Sequence, residues 1–296
     1  MVWCSGWRLA SAVSNAGGLG LIGSGSMHPD VLCDHIRKCR QATDQPFGVN
    51  IPLMYPQIDE IVRIVADEKV PVVFTSAGSP AKYTAWFKQQ GIVVAHVVSN
   101  VRFALKSEEA GVDAIVAEGF EAGGHNGKEE TTTMTLVPLI KKNSVLPLIA
   151  AGGIASGRSM LAAMALGAEG VQIGSRFAIS EESSAHTAFK EHVVASGDGS
   201  TMLSIKKIAP VRLIKNRFWE QLNQLEESGA SPDQLAGILG KGRAKLGIFE
   251  GDLDEGELEI GQAAALIDRI EPVSAIMDEI IREFNLSAAK LSNLTL

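Results

Sequence analysis

The sequence predicts a parallel α/β barrel with a helical extension at its carboxyl-terminal end, and three observations predict it. Between residues 19 and 177, seven short apolar runs alternate with stretches of helical periodicity. Most of the runs are almost wholly apolar, as parallel strands covered on both faces should be, where half-exposed antiparallel strands would alternate. The last two end in glycine-rich turns, at the positions where such barrels commonly hold a phosphate.

Taken in order, the chain opens with a helical stretch at 7–16 that no strand precedes. The apolar runs are 19–25, 46–53, 70–77, 92–98, 113–119, 147–153 and 170–177, and amphipathic segments such as 29–43, 56–69 and 157–167 lie between them. This beat leaves a doubly wound sheet or a (β/α)8 TIM barrel. A barrel needs eight strands, so the count of seven puts the first strand upstream of Met1. Run 19–25 is then strand two and run 170–177 strand eight. Beyond about residue 198 the strand rhythm stops, and 218–227, 232–240 and 271–290 read as helices. The expected division is a barrel over 1–198 and a helical extension over 199–296.

Composition bounds the function. The chain has 296 residues and is 46% hydrophobic, enough for one large core, and its formal charge of −7 argues against a general nucleic-acid binder. Cys4, Cys33 and Cys39 form no paired motif and suit reduced thiols. No leader-like start and no membrane-length apolar run is present, so a cytoplasmic location is expected. The sequons Asn285-Leu-Ser287 and Asn293-Leu-Thr295 are then expected to stay unmodified.

Each motif has a bland reading beside its functional one. Gly18-Leu-Gly20-Leu-Ile-Gly23 matches a dinucleotide fingerprint, but a helix precedes it and a strand runs through it, the reverse of the order that fold needs. A tight helix-to-strand turn, or a glycine-lined face beside a flat cofactor, fits better. Ala150-Ala-Gly152-Gly153-Ile-Ala-Ser-Gly157 ends one run and opens a helix, and Gly174-Ser175-Arg176 ends the next. Bare glycines let backbone N–H groups approach an anion, and the following helix turns its positive end toward it.

Glu118-Gly-Phe-Glu121-Ala-Gly123-Gly124-His125 follows strand six on the catalytic face, where His125 can donate a proton or hydrogen bond near neutral pH. His96, within an apolar run, either faces the cofactor or is a satisfied core residue. His28, His35, His186 and His192 read as surface or helix-capping groups. Asn50 and Ser76-Ala77-Gly78 fall at strand ends, as contacts to a ring's polar edge or as turn residues. The acidic run from Asp252 fails as a calcium loop, because its glycine comes early and its twelfth position is Ala263; no metal site is expected. The basic stretch from Lys206 to Arg217 reads as a solvated helical face or as a docking patch for an acidic partner or an anionic substrate tail.

These segments together resemble the nitronate monooxygenase superfamily, formerly 2-nitropropane dioxygenases, and within it the FMN-dependent enoyl-acyl carrier protein reductase II branch. Residues 12–20, 46–50, 118–125 and 149–154 carry the resemblance. It extends through 131–135, 170–177, 212–217 and 251–262. It implies that Gly152, Gly153, Gly174 and Ser175 hold the FMN phosphate, that Asn50, Ala77, Gly78, Glu118, Gly123 and Gly124 lie by the flavin, and that His125 is catalytic. Met1 would be the surviving methionine of a Gly-Gly-Met turn that touches the flavin. The implied activity is reduction of trans-2-enoyl-acyl carrier protein thioesters with NADH or NADPH in fatty acid synthesis. The implied partners are a small-molecule or acyl-thioester substrate and acyl carrier protein, with a homodimer as the candidate assembly. The alternatives are a nitronate monooxygenase using oxygen, and a truncated, non-catalytic fragment. A third reading, a phosphate-binding barrel such as inosine monophosphate dehydrogenase, needs a cysteine where this loop has His125.

Overall fold

The structure, a computed structural model, describes residues 1–293, so Leu294 and Thr295 of the second sequon lie outside the described residues. Among the described residues ten strands form two sheets. In chain order they are β1 (Gly20–Gly23), β2 (Phe47–Pro52), β3 (Val72–Ser76), β4 (Val93–Val98), β5 (Ala114–Glu118), β6 (Gly124–His125), β7 (Leu148–Ala151), β8 (Gly170–Gln172), β9 (Thr201–Ser204) and β10 (Val211–Ile214). Strands β1-β2-β3-β4-β5-β7-β8 are neighbours in one parallel, curled, barrel-like sheet. Strands β6-β10-β9 make a separate antiparallel sheet.

The seven apolar runs therefore are the seven parallel strands. Helices at Trp7–Asn15, Pro29–Ala42, Ile58–Asp67 and Gly157–Ala165 fall where periodicity puts them. β1 and β8 are the edge strands of the parallel sheet. At their carboxyl ends Met1 lies between them: its carbonyl would stand 2.8 Å from a Cβ on Gly23, and its sulfur 3.8 Å from one on Gly174. The glycines of the 18–23 motif serve close packing, since a Cβ on Gly20 would lie 1.8 Å from the Ala10 carbonyl oxygen.

The pleat sorts side chains into two layers. Ile22, Val49, Val73, Val94, Ile115 and Leu148 are buried outward, beneath the helices. Each such burial stabilises by roughly 1.5–3 kcal/mol. Leu21, Phe74, Ala95, Val116, Ile149 and Ala151 pack inward on one another. Because successive side chains alternate, and register partners share a face, Asn50 opposite Phe74, Glu118 opposite Ala151, and Gln172 beside Ala151 all point inward at the carboxyl ends.

Three expectations need correction. The last run ends as a strand at Gln172, and Ser175–Ala178 is already a helical turn. The segment beyond residue 198 is not purely helical: β9 and β10 precede the helices Arg217–Glu227, Pro232–Leu239 and Val273–Ser292. They escape notice because each has four residues, and β10 carries a basic residue inside an apolar run. The 206–217 stretch is likewise not a free basic face. Arg212 is 2% exposed, with Nε and Nη2 donating to the Phe120 carbonyl at 3.1 and 2.9 Å. Lys206 pairs with Glu130, Lys207 donates to the Ala230 carbonyl, and Arg217 faces Glu255.

Candidate active site

The carboxyl ends of the parallel strands form the floor. Asn50 donates through Nδ2 to the Phe74 carbonyl at 3.1 Å, which aims its amide across the strand ends. Beyond β3, Ala77 holds a left-handed φ of +49°, a conformation costly for a residue with a side chain and found at strained sites. A Cβ on the neighbouring Gly78 would lie 2.9 Å from that of Leu53. Burial pushes the Glu118 carboxyl up to about 7, with the Met1 amine pulling the other way. Gln172 was missed by sequence reasoning. Its Oε1 is buried with no hydrogen-bond partner among the described residues. The available signal was its place as the polar member of an apolar run, two residues before Gly174.

One flank is a glycine cradle. Gly152 and Gly153 hold φ of +93° and +70°, and a Cβ on Gly152 would lie 2.7 Å from the Gly119 carbonyl oxygen. Among the described residues, the amides of Gly152, Gly153, Gly174 and Ser175 donate to no other group of the chain. The helix that follows does not present its positive end to this cradle as expected. Gly157 N and Arg158 N donate to Glu283 Oε2 at 2.8 and 3.4 Å, and Ser156 completes a capping box, so a carboxylate already takes that helix end.

The roof is built from another part of the chain. His125 is exposed, on the two-residue β6, and β10 pairs with it as Val211 with His125 and Arg212 with Gly124. Gly123 and Gly124 are needed for close approach: a Cβ on Gly123 would lie 2.4 Å from the Ile260 carbonyl carbon, and one on Gly124 2.7 Å from Glu259 Oε2. Gly261 N donates to Ser175 Oγ at 3.0 Å and Gln262 N to the Glu121 carbonyl at 2.9 Å, tying residues 257–262 over the floor. Sequence reasoning weighed this segment as a metal loop and for its likeness to relatives, and missed Glu257 and Glu259.

His96 resolves to the core reading. β4 turns Ala95 and Val97 inward, so His96 faces the helical layer, bonded through Nδ1 to Thr75 Oγ1 at 2.7 Å. Burial takes its imidazole down to about 4, keeping it neutral, while the Gly78 backbone opposes the shift. Of the others, His186 caps a helix by accepting from Ala188 N.

Unspent amides around two glycines suit a phosphate, and an orphaned inward acceptor suits an N–H of a flat polar ring, so the residues present fit a flavin nucleotide. Which proteins share this arrangement is then informative. The nitronate monooxygenase family model matches residues 1–63 and 55–283. The chain belongs to that family. It is 32% identical to a probable nitronate monooxygenase of Staphylococcus aureus strain JH9, covering 94% of this chain and 90% of that protein. FabK from Thermotoga maritima superposes with a TM-score of 0.94 at 44% identity, covering 99% of this chain and 93% of that one. A nitroalkane oxidase from Streptomyces ansochromogenes follows at TM-score 0.83 and 27% identity, covering 97% and 94%. The chain is thus an oxidoreductase of a flavin-dependent family. A match over nearly all of this chain to a family of enzymes counts against the reading as a non-catalytic protein. Among the described residues no helix is long and apolar enough to cross a membrane.

Proposed function

We propose that the protein is a cytoplasmic FMN enzyme that reduces trans-2-enoyl acyl thioesters with NADH or NADPH. The observation that carries this reading is the likeness to FabK, an enoyl-acyl carrier protein reductase II, at 44% identity over 99% of the chain, against 27% for the nitroalkane oxidase. In this reading the amides of Gly152, Gly153, Gly174 and Ser175 hold the phosphate. Met1, Asn50, Ala77, Gly78, Glu118 and Gln172 line the floor under the ring, with Gly123 and Gly124 at the roof. FMN, when bound, supplies the hydride chemistry between nicotinamide and alkene. His125 delivers a proton to the α-carbon or a hydrogen bond to the thioester oxygen, and β10 keeps it in register for that task. Acyl carrier protein is the expected thioester carrier, and it docks without help from the buried Arg212.

The second reading, a nitronate monooxygenase, is favoured by the family model and by the Staphylococcus relative. One assay separates them. Purified FMN-loaded protein should oxidise NADH or NADPH when given a crotonyl thioester, in the absence of oxygen as well as in air. Oxygen consumption with an alkyl nitronate, and indifference to enoyl thioesters, would establish the second reading instead.

A further inference from the structure

We infer that Glu257 and Glu259 act as a specificity filter, admitting substrates that arrive neutral and selecting against those that arrive as anions. The inference deepens the reductase reading and rests on it for the identity of the favoured substrate. Leu258 and Ile260 lie in the core at 0% and 3% exposure, while the alternating Glu257 and Glu259 are half-buried. Alternation therefore sets both carboxyls on the opposite face. The backbone holds them there: Glu257 N donates to the Arg243 carbonyl at 3.0 Å, Ile214 N to the Leu258 carbonyl at 2.9 Å, and Glu259 bridges Leu213. On that face Glu259 Oε2 would stand 2.7 Å from a Cβ on Gly124, the residue before His125.

The pair is poorly compensated. Burial, and Glu259 beside it, push Glu257 up to about 7, with His125 and Arg243 opposing. Burial raises Glu259 too, with the Met1 amine opposing. Tyr55 is raised by its own burial and by both carboxylates. No hydrogen bond or ion pair holds either carboxylate among the described residues. Adjacent carboxyls oppose each other's ionisation, so the pair carries on the order of one negative charge rather than two. A unit charge roughly 6 Å from a bound anion, at an effective dielectric of about 20, weakens its binding by about 100-fold. Partial offset by His125 and Arg243 leaves about tenfold.

An alkyl nitronate carries its full charge before any reaction and meets this penalty on entry. An enoyl thioester enters uncharged, and negative charge grows on it only as hydride arrives, when His125 has a proton to give. The filter thus bears on ground-state entry and leaves the developing charge to His125.

The test uses one shape in two charge states: crotonate and crotonamide, titrated calorimetrically into oxidised, FMN-loaded protein without nicotinamide. Wild type should bind crotonamide at least about tenfold more tightly than crotonate. Glu257→Gln/Glu259→Gln should tighten crotonate about 10- to 100-fold and move crotonamide less than about twofold. If the double variant loses its flavin, the two single variants should each tighten crotonate about threefold or more. A variant that gains no crotonate affinity, or a wild type that prefers the anion, overturns the inference. Because no turnover is read, failure of enoyl reduction would sink the reductase reading alone.

Discussion

Arg212→Met tests whether the buried guanidinium supports the loop that carries His125. Arg212 spends Nε and Nη2 on one carbonyl, that of Phe120, and lies 5.0 Å from the centre of the Phe120 ring. A hydrogen bond from a charged donor contributes roughly 1.5–3 kcal/mol. Two on a single carbonyl count for less than double, and the ring contact adds about 1 kcal/mol. Against this stands the cost of burying the cation, visible in the lowering of the Arg212 pKa by desolvation. The net loss should be about 2–3 kcal/mol, which for a chain of this length lowers the melting temperature by about 5 °C. Since β10 also pairs with β6, enoyl turnover should fall by more than FMN affinity does. Arg212→Lys, which retains one donor, should fall between. Calorimetric melting of the FMN-loaded variants, with flavin content and turnover measured on the same samples, makes the comparison. A variant that melts within about 1 °C of wild type with full turnover would refute the reasoning.

His125→Ala should keep FMN and lose about 10²- to 10⁴-fold in flavin reoxidation by the enoyl substrate, while flavin reduction by nicotinamide is spared; equal rates in both half-reactions would exclude the role. Gly152→Ala puts a side chain at φ +93° and against the Gly119 carbonyl, so FMN affinity, read by flavin fluorescence on titration, should drop at least about tenfold. His96, held down at about 4 against an ordinary value near 6.5, contributes stability that is present above pH ~6.5 and lost as pH falls through that window toward 4, up to about 3 kcal/mol. Glu118, raised to about 7, acts in the opposite sense, since its charging opposes the fold as pH rises from about 4.5 to 7. Urea unfolding of wild type against His96→Gln between pH 4 and 7 isolates the first effect, and parallel curves would disprove it.

The parallel strands were legible because burial on both faces makes them continuous apolar runs, and each strand falls inside its predicted run. β9 and β10 were not. Four residues give no period, and a buried Arg212 reads in sequence like a solvated one, since the Phe120 carbonyl and ring that distinguish it lie far off in the chain. The cradle glycines were legible from their positions after the last strands. What made them glycine was only half anticipated: unspent amides at Gly152 and Gly153, but a helix end at Gly157 already capped by Glu283. His96 was decidable from the pleat, since Val94, His96 and Val98 share one face of β4. Glu257 and Glu259 alternate with buried Leu258 and Ile260, yet nothing local says that this strip lies above His125. That depends on long-range pairing through β10.

The hydrogen bonding of β6 divides the candidate site between two sheets. Floor residues such as Asn50, Glu118 and Gln172 are inherited from the barrel and are bound by its register, whereas His125 is stitched to a separate sheet whose remaining strands come from after the barrel. The 257–262 strip reaches back to the cradle at Ser175, through the Gly261 amide. Change in the outer sheet therefore bears first on the segment that carries His125, and change in the parallel sheet on the floor.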